Sequence, residues 1–157
     1  MVKASSGRDA PQVRDRKTKH MASKGRPYRT VLVEGFEVLI GRSAADNDAL
    51  TFRVAKATDS WLHVAGGTPG SHVVIKNPER LPIPKSVIER AASYAAWYSK
   101  ARAGGSVEVH YCKVSDIRKP RGAPAGLVHL ERYSKVRVRP GPPEEADPGE
   151  GVEPEGS

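Results

Sequence analysis

One segment carries a sustained helical pattern, and it limits what the rest of the chain can do. From residue 86 onward, Ile88, Ala91, Ala92, Ala95 and Tyr98 recur at the spacing of one helix face. Ser86 with Glu89 three residues later reads as a capping box. Gly104 and Gly105 read as a left-handed stop. The pattern predicts a helix of about 17 residues over roughly 86–103. Elsewhere the apolar residues fall in short runs separated by turn chemistry. Residues 31–33 and 36–40 read as two strands around Glu34-Gly35, a hairpin signal. Residues 61–64 and 71–75 read as strands on either side of the break at Gly66-Gly67-Thr-Pro-Gly70. Residues 107–112 alternate as a half-buried strand, and 127–130 and 135–139 add two more. Leu50, Val54 and Ala55 suggest a short helix within 44–55, with Asn47-Asp48 as its cap. Several strands with one long and one short helix predict an α+β fold, a mostly antiparallel or mixed sheet packed against both helices.

Charge divides the 157 residues into three parts. Residues 1–30 carry nine basic and two acidic side chains, and residues 141–157 carry six acidic and none basic. The formal charge of +8 therefore hides a body of +14. The segment from Arg14 to His20 has almost no apolar surface to offset a backbone ordering cost of roughly 1–2 kcal/mol per residue. The Pro/Gly/Glu-rich end has the same deficit. The expected organisation is a disordered basic arm over 1–27, a folded domain over 28–140 and a disordered acidic tail over 141–157. No apolar run approaches the ~18 residues of a membrane span, and no apolar core follows the N-terminal charges as in a secretory signal. The single cysteine, Cys112, excludes an internal disulfide and a Cys-rich zinc site, which fits a reducing, cytoplasmic setting.

Basic residues cluster in three places. Lys135, Arg137 and Arg139 share one face of the last strand, ~6–7 Å apart. That is close to the phosphate repeat of a nucleic-acid strand, and it also suits a solvated sheet face. Arg118, Lys119 and Arg121 surround Pro120, which stiffens the loop before Gly122. Lys100 and Arg102 fall where the helix dipole alone would favour cations. His63 and His72 flank the glycine-rich turn, with Ser71 beside the second. Imidazoles there suit hydrogen bonding or stacking to a nucleotide, and equally a satisfied place in the strand network. A metal site would need a third ligand such as Asp59 or His110, and no HExxH or Cys/His spacing supports one. Trp61, Trp97 and Tyr98 read as core or helix-face residues. Arg42 with Asn47 and Asp48 suits a base or phosphate contact.

Five motifs occur in order: Gly41-Arg-Ser-Ala-Ala-Asp-Asn-Asp48, Trp61-Leu-His-Val64, Pro69-Gly-Ser-His-Val-Val-Ile75, Tyr98-Ser-Lys-Ala-Arg102 and Val114-Ser-Asp-Ile-Arg-Lys-Pro-Arg-Gly-Ala123. Together they resemble the NFACT-R domain (DUF814), the RNA-binding module of Rqc2-type ribosome quality-control factors, over residues 28–140. The resemblance implies RNA binding, with tRNA or large-subunit ribosomal RNA as the partner and the ribosome as the setting. It implies no cofactor, no metal, no membrane and no DNA. Full-length relatives carry further domains that 157 residues cannot hold, so the expectation is a stand-alone RNA-binding domain. Ser43, Asp46 and Ala65 depart from residues frequent in the family at those positions, the last replacing a cation. The implied phosphate contacts are Arg42, Lys100, Arg118, Lys119 and Arg121, with Arg102 beside them. Asn47, Asp48, His63, Ser71 and His72 are the implied local contacts. Two other readings stand beside this one: an RNA-processing enzyme acting through His63 and His72, and an adaptor whose basic surface binds an acidic protein.

Overall fold

The computed structural model describes residues 26–143. The basic arm and acidic tail therefore lie outside the described residues, apart from their inner ends. The chain folds as α+β, with a six-stranded sheet in the order β1-β2-β4-β3-β5-β8. These strands are β1 (Tyr28–Val33), β2 (Phe36–Gly41), β3 (Ser60–Val64), β4 (Val73–Ile75), β5 (Val107–Lys113) and β8 (Ser134–Val138). Every neighbouring pair is antiparallel. Two short strands, β6 (Ile117–Arg118) and β7 (His129–Leu130), form a separate antiparallel ribbon.

Period-two alternation sorts the strand side chains onto two cores. Val38, Ile40, Leu62, Val64, Val73, Ile75, Val107 and Val109 face the long helix α2 (Lys85–Trp97). That helix answers with Val87, Ala91, Ala92, Tyr94, Ala95 and Ala96, and its four alanines let it lie close to the sheet. The alternate residues Leu39, Trp61, Val74 and Cys112 face the other way, onto Leu50 and Ile117. The central strands are thus buried on both faces, at roughly 1.5–3 kcal/mol per large apolar side chain. Cys112 belongs to this second core. Its burial, with Asp116 nearby, pushes the thiol up to about 12. It is a packing residue of that core.

The Glu34-Gly35 hairpin forms as expected, with both residues at positive φ and Val33 paired to Phe36. The short helix α1 (Ala44–Ala49) continues into one wide turn (Leu50–Val54), where the Ala55 N–H donates to the Leu50 carbonyl. Its cap is Ser43, which accepts from the Asp46 N–H at 3.1 Å, and not Asn47-Asp48, which lie inside the helix. The expected capping box on α2 is also absent. Pro84 precedes that helix with no side-chain cap, and Ser86 Oγ donates to Glu34 instead. Nor does α2 reach Gly104. It has 13 residues and ends at Trp97, because the next backbone groups pair elsewhere. The Tyr98 carbonyl accepts from the Ser71 N–H, and the Lys100 N–H donates to the Pro69 carbonyl. Gly70 lies so close to this segment that a Cβ there would sit 2.6 Å from Ser99 Cβ. This crossing is what carries Lys100 and Arg102 off the helix and beside the glycine-rich turn.

Candidate nucleic-acid interface

The second face of the sheet carries a cleft of about 920 Å³. Its floor is Trp61 and His63 of β3 and His110 of β5. One wall is the glycine-rich turn 66–70 with the segment 97–102, and the other is the loop 124–128. Arg42 and Ser43 stand at the start of α1. Among the described residues the lining contains the cations Arg42, Lys100 and Arg102 and no carboxylate. It also contains aromatic surface. Trp97 is half-buried, and the Arg102 guanidinium stacks over its ring at 4.2 Å. An anionic ligand with flat apolar parts fits this chemistry.

Of the expected site residues, Arg42, Asn47, His63, Ser71, Lys100 and Arg102 come together at this cleft. Asn47 and Ser71 hold the frame. Asn47 is buried; its amide donates to the Gly70 carbonyl at 3.1 Å and accepts from the His72 N–H at 3.0 Å. Ser71 Oγ donates to the Gly41 carbonyl at 2.7 Å. Asp48, His72 and Lys119 lie behind the wall formed by 124–128 and fasten it. Asp48 accepts from the Gly126 N–H at 2.9 Å and pairs with Lys119 at 3.0 Å. Lys119 also donates to the carbonyls of Pro124 and Leu127. Its ammonium is thus committed to the protein, and its place is that of a positioning residue. Arg118 and Arg121 are exposed outside the lining, with Arg118 paired to Glu131 at 3.2 Å.

His72 is buried at 1% exposure, edge-on to both Trp61 and His63. Its Nε2 faces the Gly126 carbonyl at 3.2 Å, which only accepts, so Nε2 carries the proton. Nδ1 then accepts from the Thr51 hydroxyl at 2.9 Å, and Thr51 in turn accepts from Trp61 Nε1. Both ring nitrogens are used, which leaves none for a ligand or a scissile bond. Burial, followed by the neighbouring His63, pushes His72 down to about 3. Burial also lowers His63, against its hydrogen bond to the Gly70 carbonyl.

The sign of the pH dependence follows. Unfolded His72 takes up a proton near 6.5, whereas the folded ring resists until about 3. The stability contributed by the neutral ring is complete above 6.5 and declines as pH falls through that window, with His63 adding in the same direction. Urea denaturation is expected to show falling stability from pH 6.5 to about 5, above the carboxylate range. His72→Gln is expected to flatten that fall; an unchanged slope contradicts the assignment.

Asp59, a metal-ligand candidate from the sequence, is fully buried and occupied by Lys76 and by the N–H groups of Lys56 and Asn77. His110 bonds Glu108 at 3.1 Å. Among the described residues, no group of three metal-ligating side chains converges. No helix among them is long and apolar enough to cross a membrane. The residue overlooked by sequence reasoning is Trp97, taken for a helix-face residue. Its position at the last turn of α2, five residues before Arg102, is the available signal.

The family model for the NFACT protein RNA binding domain matches residues 26–131. The chain belongs to this family. It is 35% identical over 153 residues to the Rqc2 homolog RqcH of Bacillus subtilis, covering 88% of this chain and 26% of that one. It is 36% identical over 116 residues to the Rqc2 homolog RqcH of Streptococcus suis, covering 73% of this chain and 20% of the relative. The NFACT-R chain thus spans about a quarter or less of the length of these relatives. Among solved structures, the C-terminal part of the fibronectin/fibrinogen-binding protein of Streptococcus suis superposes with a TM-score of 0.67. That match is 35% identical and covers 74% of this chain and 46% of the other. The matched region contains the whole cleft, since its lining runs from Arg42 to Leu130.

Proposed function

We propose that this NFACT-R domain binds structured RNA in the cytoplasm, through tRNA or large-subunit ribosomal RNA, in the rescue of stalled ribosomes. The observation that carries the reading is the cleft itself, which among the described residues sets three cations and no carboxylate around half-exposed aromatic surface. Arg42, Lys100 and Arg102 bind phosphate, and His63 meets the ligand at the floor. Arg118 and Arg121 add outer phosphate contacts, while Asn47, Asp48, Ser71, His72 and Lys119 keep the walls in place. The kinship with RqcH supports the ribosomal setting. The protein acts by binding and not by catalysis. The saturation of both His72 nitrogens supports this, because a general base needs a free nitrogen within reach of its proton.

Sedimentation of lysate through a sucrose gradient tests the proposal. The protein is expected to travel with large subunits at low salt and to leave them in high salt or after ribonuclease, with tRNA enriched among co-purifying RNAs. A protein that stays at the top of the gradient and enriches no RNA contradicts it. Complexes that survive ribonuclease point to the acidic-protein adaptor.

A further inference from the structure

We propose that the part of the RNA this domain grips is a single-stranded segment, with unpaired bases at two platforms and its phosphates running between them along Lys100, Lys135 and Arg137. The inference rests on the RNA-binding reading above and specifies the form of RNA. A second groove of about 480 Å³ adjoins the cleft, and Val64 and Lys100 line both. Arg137 lines that second groove.

The sheet register explains why. Val136 and Val138 of β8 pack toward the α2 core, so Lys135 and Arg137 point to the opposite, cleft-bearing face. His63 is opposite His110, and His110 is opposite Lys135. The cleft floor therefore passes across three strands directly onto the cation row of β8. Arg137 is opposite Glu108, the one carboxylate among the described residues of the second groove, which is engaged by His110. Arg137 itself donates to the Ser106 carbonyl and remains exposed.

Two pairs of planar side chains flank this track. Arg102 over Trp97 is the first. The second is Tyr133, whose ring lies 4.3 Å from that of His110 and is 47% exposed. Exposed aromatic and guanidinium planes beside a cation row are the equipment for unpaired bases. A duplex keeps its bases stacked inside and offers only backbone and groove edges, so these planes would gain nothing from it.

Fluorescence anisotropy separates the possibilities. The full chain is titrated with a labelled oligouridine of about eight nucleotides, and with a blunt RNA duplex. The single strand is expected to bind at least about tenfold more tightly. Tyr133→Ala, at an exposed position, is expected to cost about tenfold on the single strand alone, with Tyr133→Phe restoring it. Arg102→Ala is expected to show the same selectivity, and the oligouridine to quench Trp97 fluorescence, a signal lost in Trp97→Phe. Equal affinity for both RNAs, or equal losses on both in the two alanine variants, overturns the single-strand inference and leaves RNA binding standing. Failure to bind either RNA overturns both readings.

Discussion

Replacing Arg42, Lys100 and Arg102 together with glutamine is expected to weaken RNA binding about 100-fold at low salt. Among the described residues these are the only lysine, arginine or carboxylate side chains in the cleft lining. A phosphate contact on a surface-accessible cation contributes on the order of 1 kcal/mol, so three account for about two orders of magnitude. The salt dependence supplies a second readout. Each phosphate neutralised on a single strand contributes about 0.7 to the slope of log K against log salt. The triple variant is therefore expected to lower that slope by about 2. All three residues are exposed, so thermal unfolding is expected to move little. Glutamine at both Arg118 and Arg121, outside the lining, is expected to cost less than tenfold. A triple variant with unchanged affinity and slope removes the cleft from the account.

The second large effect concerns the joint beneath the cleft. Asn47→Ala is expected to destabilise the fold by about 2–4 kcal/mol in urea denaturation. The buried amide bonds the Gly70 carbonyl and the His72 N–H, and its loss removes one partner of the first and strands the second out of reach of water. Gly41→Ala is expected to do comparable damage from the other side, since a Cβ there would fall 2.0 Å from Asn47 Oδ1. The close approach of β2 to α1 needs a residue without a side chain. Both variants are expected to lose RNA affinity as well, because Asn47 ties the glycine-rich turn to α1. A loss of less than about 0.5 kcal/mol in Asn47→Ala would show that the amide network is not what joins these elements.

Much of the framework was legible in residue order. The Glu34-Gly35 hairpin, the alternation in β5 and the apolar face of α2 follow from local periodicity and turn chemistry, which is why they appear where expected. The errors occur where distant backbone competes with local preference. Ser86 and Glu89 make a plausible cap, yet Ser86 turns to Glu34 on the hairpin. Gly104-Gly105 is a plausible helix stop, yet α2 ends seven residues before Gly104, where Tyr98 and Lys100 bond the 69–71 segment. Residue type pointed to the site but not to each role. Lys119 and His72 carry the same chemistry as Lys100 and His63, and only the fold separates those that face the cleft from those that fasten its wall. Trp97 is the converse case, a residue of core type left half-open because the chain turns away beyond it.

Photocrosslinking tests the central claim most directly. The protein is mixed with a 4-thiouridine oligoribonucleotide, irradiated, digested and mapped by mass spectrometry. Crosslinks are predicted in the peptides that form the cleft, around His63–Ser71 and Trp97–Arg102, and they are predicted to disappear in the Arg42, Lys100 and Arg102 triple variant. Crosslinks confined to the outer edge at β1 or to Arg118–Arg121, and unaffected by that variant, would contradict an interface at the cleft.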